Sequence, residues 1–262
     1  MDSGRIVQTC KFKRTNMVGS AFTAVDFFNS WSVDEICVLE ITQNREHIDK
    51  FHRIIEGLSE RCFVPLSVGG KIQSLEDVYN LLRLGADKIV LNTAAVDNPG
   101  LIKSIADEFG SQCVVISVDA KKDNNYPSGY TICTHNGQVD RSIDILKWIN
   151  TCVELGAGEF LVNSIEHDGN RQGYDIELLR LLATNISNPV IAMGGVGKWE
   201  HMVEAIKQSS VSAVAAGNIF HYTEHSTKKA KEFLQASNMY VRPSTFYKLN
   251  KPRKIKYKIN WS

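Results

Sequence analysis

The 262-residue sequence lacks the features that would assign it to a membrane or to nucleic acid. No apolar run approaches membrane-spanning length, and no apolar stretch followed by small residues stands at the start, so we expect neither a membrane segment nor a signal peptide. Thirty basic residues are balanced by 29 acidic ones, which leaves a net charge of +1. This balance gives no sign of a basic nucleic-acid-binding surface. We therefore expect no nucleic-acid partner and no membrane association.

Cysteine is scarce and scattered, with six residues and no Cys-x-x-Cys pair. Several of these cysteines lie in apolar segments, where a free thiol behaves as a small hydrophobic side chain. The pattern is typical of a protein of the reduced cytoplasm. We expect no metal site and no cofactor.

What the sequence does contain is an alternation of short apolar segments and amphipathic helical segments. Seven apolar runs are typical of parallel strands covered on both faces, at 35–41, 64–68, 88–92, 114–119, 160–164, 189–193 and 213–217. Helical periodicity fills the intervals at 22–31, 48–58, 75–84, 100–109, 143–155, 176–183, 200–207 and 228–234. The alternation predicts a parallel α/β sheet, and the closest closed fold is a (β/α)8 TIM barrel. We assign residues 1–237 to this barrel.

The chain also repeats itself at about half its length. The segment around Glu35 is echoed 124 residues later around Glu159, and Gly69-Gly70 is echoed 125 residues later by Gly194-Gly195. Such a repeat predicts one fold of two similar halves with two equivalent anion sites. The predicted strand 114–119 should have a counterpart about 124 residues earlier, which falls before Met1. We therefore expect a barrel that lacks its first strand, and a truncated or misassigned start is the favoured explanation.

Candidate functional residues lie where the predicted strands end, because sites in such barrels sit at the carboxyl ends of the strands. Each Gly-Gly pair ends a strand and precedes a helix, so backbone N–H groups there could approach a phosphate closely. A tight turn is the alternative for either pair alone. Two pairs at matched repeat positions favour phosphate-binding loops and a ligand with a phosphate at each end.

Two aspartates follow strands at the same pole. Asp119 ends an apolar strand, where partial desolvation would suit a general acid or base. The alternative is a capping or loop-anchoring role. Asp168 either orients a loop or accepts hydrogen bonds from a ligand, and an Asp-Gly turn is its alternative.

The segments that carry these residues resemble the cyclase subunit of imidazole glycerol phosphate synthase. The resemblance extends from about Gly4 to about Phe233 and is carried by 66–70, 85–96, 109–115, 118–121, 156–159, 168–169 and 173–175. The family is a barrel that joins ammonia to a bisphosphate aminoimidazole ribonucleotide. It is a lyase of histidine biosynthesis and releases imidazole glycerol phosphate and an aminoimidazole carboxamide ribonucleotide. Its ammonia comes from a separate glutaminase subunit, docked at the bottom of the barrel, and passes through the barrel core.

The resemblance implies a role for each matching residue. It makes Asp119 catalytic and assigns three other groups: one phosphate site at Gly70, Asn92 and Thr93; a second at Asp168, Gly169, Gly195, Gly217 and Asn218; and an ammonia gate at Glu35, Lys88 and Glu159. Asp87 matches a position that faces the glutaminase, so a heterodimer is expected. From the sequence pattern, the three gate residues lie at strand starts. The alternative for them is mutual neutralisation of the lower layer of the barrel.

Four departures from the family pattern are visible. The family's other catalytic aspartate and one further gate residue lie on the first strand, which this sequence lacks. Lys71 stands where the family has a third glycine, Gln8 where it has a phosphate-binding lysine, and Asn218 where it has serine. Acid–base chemistry that needs two groups cannot be completed by Asp119 alone.

These departures keep a second function open. Divergent copies of the cyclase occur with surface-polysaccharide genes, where they resemble ammonia conduits that serve an amidotransferase making acetamidino sugars. Residues 8–13 are more similar to those copies than to the histidine-pathway enzymes. A third candidate, the related single-chain sugar isomerase, needs no ammonia, and residues 156–159 together with Lys88 disfavour it.

The C-terminal residues 238–262 differ in composition from the rest. From 242 to 262 there are seven basic residues and no acidic one, and apolar residues alternate with polar ones over 254–261. We expect a flexible basic tail. A half-exposed strand that covers the gap left by the first strand is the alternative.

Overall fold

The computed structural model describes residues 1–42, 45, 47–222 and 224–244. Seven parallel strands form one continuous sheet, and their spatial order follows their order in the chain. They are β3 (Ile36–Leu39), β4 (Leu66–Gly69), β5 (Lys88–Leu91), β6 (Val114–Lys122), β9 (Glu159–Ser164), β10 (Val190–Met193) and β11 (Ala213–Val214). Each corresponds to one of the seven predicted strands, which confirms the parallel α/β architecture.

Helices connect these strands and cover the outer face of the sheet. The described residues form α1 (Ala21–Ser30), α2 (Ile48–Ser59), α3 (Leu75–Arg83), α4 (Thr93–Asp97), α5 (Gly100–Phe109), α6 (Ile145–Glu154), α7 (Ile176–Asn185), α8 (Trp199–Ser209) and α9 (Ser226–Ala236). All eight predicted helices are present, and the short α4 is an addition. In α2, the buried Phe51, Ile54, Ile55 and Leu58 form the apolar stripe expected of a helix against a sheet. No described helix is long and apolar enough to cross a membrane.

The sheet curls as a barrel wall does. Val90, Val115 and Leu161 point to its inner face and form a small cluster that also contacts Leu39 and Ala215. These last two residues lie at the β3 and β11 edges of the sheet, so only a curled sheet brings them to one cluster. Among the described residues no strand pairs β3 with β11. The arrangement is therefore the predicted TIM-barrel wall without its first strand.

Two antiparallel hairpins were not predicted. One consists of β1 (Arg5–Cys10) and β2 (Lys13–Ser20), and the other of β7 (Tyr130–Thr134) and β8 (Val139–Asp144), which extends the sheet from β6. Their turns contain non-glycine residues in the left-handed region, namely Lys11, Phe12, His135 and Asn136. The β1–β2 turn lacks the usual Asn-Gly or Asp-Gly signature, so local sequence patterns miss it. The β7–β8 turn does contain such a signal, Asn136-Gly137, which the strand prediction did not use.

Polar contacts link the β3 edge to both ends of the described chain. At the carboxyl end of β3, the Met1 amino group donates to the Leu39 carbonyl (2.5 Å) and the Ile41 N–H donates to the Met1 carbonyl (2.9 Å). At the amino end, Asp34 accepts from Lys231 of α9 (2.7 Å) and from Arg242 (2.7 Å). Most of the predicted basic tail, from residue 245 onward, lies outside the described residues, as does its predicted strand alternation.

We expect Asn29 to be a main polar anchor of α1. Its side chain is fully buried, donates to the Arg61 carbonyl (2.7 Å) and accepts from the Phe63 N–H (3.1 Å). Asn29→Ala removes both of these buried hydrogen bonds and should lower the free energy of unfolding by about 2–4 kcal/mol in urea denaturation. Asn185→Ala, which removes an exposed amide from α7, should change it by less than about 0.5 kcal/mol. Equal effects of the two substitutions would contradict the anchoring role.

Candidate active site

The carboxyl ends of the strands surround two cavities. The larger, of about 550 Å³, lies over the centre of the sheet and is called the central cavity below. The smaller, of about 310 Å³, lies beside the loop after β10 and is called the side cavity. Five of the predicted site residues line the central cavity, namely Gly70, Asn92, Thr93, Asp119 and Asp168. Asn218 lines the side cavity.

Alternate residues of the strands line the interior of the sheet in layers, because successive side chains of a strand point to opposite faces. On β5 the inward residues are Lys88 and Val90, with Asn92 just beyond the strand. On β9 they are Glu159, Leu161 and Asn163. The clustering of Val90 with Leu161 places both series on the same face. The interior is thus charged at the amino ends of the strands, apolar in the middle, and polar at the mouth.

Asp119 is the most perturbed acid at the mouth. Its side chain is buried, with the residue 8% exposed, and it lines the central cavity. Burial raises the pKa of Asp119 to about 7, the negative charge of Asp168 adds to the rise, and the Asn92 side chain partly offsets it. A carboxyl group with such a pKa exchanges protons near neutral pH, as a general acid or base must.

Asp168 is positioned by the β1–β2 turn. Its carboxylate accepts from the Phe12 N–H (2.9 Å), and its carbonyl accepts from the Lys11 N–H (2.8 Å). The next residue, Gly169, has a φ of +71°, and a Cβ there would lie 2.3 Å from the Thr9 carbonyl oxygen. The Asp-Gly turn considered from the sequence is therefore present, and it also brings the hairpin over the cavity.

The first predicted phosphate site surrounds the loop after β4. Gly70 has a φ of +102°, and a Cβ there would lie 2.3 Å from the Glu40 carbonyl oxygen, so the backbone passes too closely for a side chain. Thr93 accepts from the His135 N–H (3.1 Å), which connects this site to the β7–β8 turn. Arg45 and Lys71 also line the central cavity and were not predicted as site residues.

The residues predicted for the second phosphate site are divided by the structure. Asp168 faces the central cavity with Asp119, whereas Asn218 lines the side cavity. Gly195 lies against Gly173, which donates its N–H to the Gly195 carbonyl (2.8 Å), and a Cβ on Gly195 would come within 2.1 Å of the Gly173 oxygen. Gly217 immediately precedes Asn218 and has no neighbour that a Cβ would meet. Neither glycine lines either cavity.

Asn163 is a cavity residue that sequence reasoning missed. It is the last residue but one of β9, in register with Asp119, is 7% exposed and lines the central cavity. Its Oδ1 is the one buried side-chain polar atom without a hydrogen-bond partner among the described residues. A buried acceptor left unpaired costs stability, so such an atom beside a cavity points to a ligand or water as its partner.

At the opposite pole the three predicted gate residues meet. The ammonium group of Lys88 contacts the carboxylates of Glu35 and Glu159, each at 2.9 Å, and Ser67 donates to Glu35. Burial alone would lower the pKa of Lys88, but its hydrogen bonds to the two glutamates raise it, so Lys88 stays charged. The Asp87 carboxylate accepts from the Leu66 N–H (2.8 Å) at the same pole.

The family model described as "Histidine biosynthesis protein" matches residues 1–226. The chain belongs to this family. A relative in Vibrio vulnificus (strain YJ016), provisionally named imidazole glycerol phosphate synthase subunit hisF2, is 41% identical over 240 residues, which cover 92% of this chain and 87% of the relative. The imidazole glycerol phosphate synthase subunit HisF of Endomicrobium trichonymphae is 39% identical over 91% of both chains. The HisF subunit of Bacillus cereus (strain G9842) is 39% identical over 91% of this chain and 94% of its own.

Family membership covers nearly the whole described fold, since the match ends at the start of α9. The two hairpins, both cavities and the Lys88 cluster therefore belong to the histidine biosynthesis family portion of the chain. The predicted resemblance is confirmed. The roles of the individual site residues stay predictions.

The raised pKa of Asp119 predicts a pH-dependent cost to stability. Between pH 4 and 7 the folded protein keeps a proton that the unfolded chain releases, so stability falls as pH rises through this interval. At pH 8 we expect Asp119→Asn to raise the free energy of unfolding by about 2–4 kcal/mol. At pH 4 the variant and the parent should be equal within about 0.5 kcal/mol. A difference that does not vary with pH in urea denaturation would refute the assignment.

Proposed function

We propose that this chain is the cyclase subunit of an imidazole glycerol phosphate synthase. It would join ammonia to a bisphosphate aminoimidazole ribonucleotide and release imidazole glycerol phosphate and an aminoimidazole carboxamide ribonucleotide. The names of its relatives support this reaction class. The observation that carries the proposal is the burial of Asp119, with a pKa of about 7, in a cavity lined by the residues of the first phosphate site.

In this mechanism the protein supplies position and proton transfer. Gly70, Asn92 and Thr93 would hold one phosphate, and the Asn218 side of the mouth would hold the other. The ligand between them would then pass over Asp119. Asp119 would exchange a proton with the nitrogen that ammonia introduces, since its pKa lets it donate and accept near neutral pH.

The second acid of the mouth, Asp168, would assist the same reaction because it faces the bound ligand and its charge helps to raise the pKa of Asp119. It faces the central cavity, and its negative charge contributes to the raised pKa of Asp119. Two carboxyl groups with unlike environments are the usual way to divide acid and base roles. Asn163 would add a hydrogen-bonding amide between them, and its unpaired oxygen would gain a partner when a hydroxyl-bearing ligand binds.

We further propose that ammonia enters at the Lys88 cluster from a glutaminase subunit docked on the amino ends of the strands. The layered interior supports this route. A charged entrance is followed by the apolar layer of Val90, Val115 and Leu161, which disfavours charged species and admits small neutral ones. Asp87, at the same pole, would face the partner. A heterodimer acting in the cytoplasm completes the proposal.

The ammonia-conduit alternative is not favoured. A conduit needs only the entrance and the apolar layer, whereas this chain also keeps a buried aspartate of perturbed pKa in a cavity lined by Gly70, Asn92 and Thr93 of the predicted first phosphate site. The HisF relatives from E. trichonymphae and B. cereus carry the synthase name without qualification. We therefore retain catalysis as the function.

Turnover with free ammonia tests the catalytic proposal. The purified chain should convert the bisphosphate aminoimidazole substrate when ammonium salt is supplied at pH 8. Asp119→Asn should lower kcat by about 10²–10⁴-fold, because the proton-transfer group is lost. Asp107→Asn, on the exposed face of α5, should leave kcat unchanged. A folded chain that binds the substrate without converting it would refute the proposal and restore the conduit alternative.

Coupling to glutamine tests the entrance. Lys88→Gln removes the cation that lies between the Glu35 and Glu159 carboxylates. The two carboxylates then repel each other and draw water into the entrance. With a glutaminase partner bound, we expect fewer molecules of product per glutamine hydrolysed than in the parent, while kcat with free ammonia changes less. Lys103→Gln, an exposed lysine on α5, is the matched control. An unchanged product-to-glutamine ratio in Lys88→Gln would argue against this route.

A further inference from the structure

The internal repeat places an arginine beside each phosphate-binding loop. Arg45 follows β3 and lines the central cavity, and Arg171 follows β9, the repeat counterpart of β3, and lines the side cavity. Each arginine also contacts the loop after the next strand of its half. Arg45 donates to the carbonyl of Lys71 (2.5 Å), and Arg171 packs against Gly197. The two arginines are therefore equivalent in position within the two halves.

The first arginine is held by a carboxylate. Arg45 makes two hydrogen bonds to Asp77, at 2.6 and 3.1 Å. Asp77 is the third residue of α3 and also accepts from the N–H of Gln73, the residue before the helix cap (2.9 Å). Asp77 thereby fixes the loop after β4 and neutralises Arg45. This arginine shapes the first phosphate site while its charge is already compensated.

The second half has an imidazole at the same position. His201 is the third residue of α8, and its Nδ1 accepts from the N–H of Gly197, again the residue before the helix cap (3.2 Å). His201 thus repeats the loop-fixing bond of Asp77. A ring nitrogen that accepts an N–H has no negative charge, so it cannot compensate a guanidinium. Within the described residues the Arg171 guanidinium makes no hydrogen bond and no ion pair.

The backbone of Arg171 has a fixed place at the side cavity, from which its exposed side chain extends. Arg171 has a φ of +61°, and a Cβ on Gly197 would come within 2.6 Å of the Arg171 Cβ, so the two loops touch only because residue 197 is glycine. Asn218 and Tyr222 complete the polar lining, and Arg171 is the one charged residue among the described residues that line this cavity.

Among the described residues, Arg171 is the one cation that lines the side cavity. Gln8, where the family resemblance places a phosphate-binding lysine, is neutral, and its Oε1 accepts from the Tyr222 hydroxyl (2.7 Å). The Gln8 amide is therefore committed to the wall of the cavity. A phosphate bound there would need a cation from another part of the chain, and Arg171 in the loop after β9 is such a cation.

We propose that Arg171 is the phosphate-binding cation of the side cavity and holds a terminal phosphate monoester through paired hydrogen bonds from its guanidinium. The planar fork of arginine matches two phosphate oxygens, and the N–H groups of the loop before α8 would add to it. The identity of the whole ligand rests on the proposed function. The binding of a phosphate group is inferred separately, from the residues that line the side cavity.

Titration with inorganic phosphate tests this inference without any assay of turnover. In ¹⁵N-resolved NMR, phosphate should shift the amide signals of Gly197 and Asn218. Arg171→Gln should raise the Kd read from these signals by about tenfold or more. Arg171→Lys should have an intermediate Kd because a point charge lacks the fork. Arg53→Gln removes the same charge from the exposed face of α2 and should leave the Kd unchanged.

A second set of variants tests the contrast between the two halves. His201→Asp recreates the Asp77 arrangement and should weaken phosphate binding although Arg171 is present, whereas His201→Asn, which keeps an acceptor for Gly197, should not. In the Arg171→Gln background His201→Asp should have little further effect. Signals of Gly70 and Thr93 report the first phosphate site and should titrate alike in all variants, which also shows that each variant is folded.

The outcomes separate the inference from the proposed function. A Kd at Gly197 and Asn218 that is equal in Arg171→Gln and the parent would overturn the role of Arg171, whatever the turnover. A loss of phosphate binding in Arg171→Gln together with an inactive parent would support the role of Arg171 and refute the cyclase proposal.

Discussion

The common direction of the seven strands is the constraint from which the rest of the structure follows. Parallel strands bring all their carboxyl ends to one pole and all their amino ends to the other, and the alternation of side chains sends every second residue inward. Inward side chains at the same height on neighbouring strands therefore form successive layers along the interior of the sheet. Charges collect at the amino pole around Lys88, aliphatic residues fill the middle, and acids and amides surround the mouth.

This layering explains why Asp119 has an unusual pKa. Its side chain is buried at the mouth end of the strands, and the negative charge of Asp168 acts on it as well. Both effects disfavour ionisation, and the surrounding sheet bears the cost in stability. The two hairpins then close the mouth from either side, with the β1–β2 turn on Asp168 and the β7–β8 turn on Thr93. The fold thus provides both the perturbed acid and the enclosure that keeps it perturbed.

The sequence pattern predicted an element correctly where each of its faces has one kind of environment, either buried or exposed. The strands are covered on both faces, so they are nearly continuous apolar runs, and the helices carry one apolar stripe each. All seven strands and eight helices were found this way. The Lys88 cluster was singled out by the family resemblance, and the strand pattern placed its three members at the same pole. The β1–β2 hairpin escaped because β2 is mostly exposed and its turn places Lys11 and Phe12 in the left-handed region. The β7–β8 hairpin had a usable signal in Asn136-Gly137, which the alternation of strands and helices around it obscured.

The candidate site was predictable only in part, because its residues are far apart in the sequence and their proximity depends on the folded path of the loops. Asp119 and Asp168 come together although 49 positions separate them, because both follow strands of one sheet. Which cavity a loop residue faces depends on the path of the loop, and so Asp168 and Asn218 ended in different cavities. Asn163 carried no sequence signal, since its importance lies in an unpaired oxygen that only the folded protein reveals. The contrast between Arg45 and Arg171 likewise depends on one residue in a following helix.

The ionisation of Asp119 is the most direct test of the account. The carboxyl carbon of ¹³C-labelled aspartate reports its own protonation in NMR spectra as pH is varied, and Asp119→Asn identifies the signal by its absence. We predict that this carbon titrates with a midpoint near pH 7, well above the value of about 4 that is usual for an aspartate side chain. A midpoint near 4 for Asp119 would mean that the mouth is solvated in the free protein. It would remove the physical basis for the proposed proton transfer.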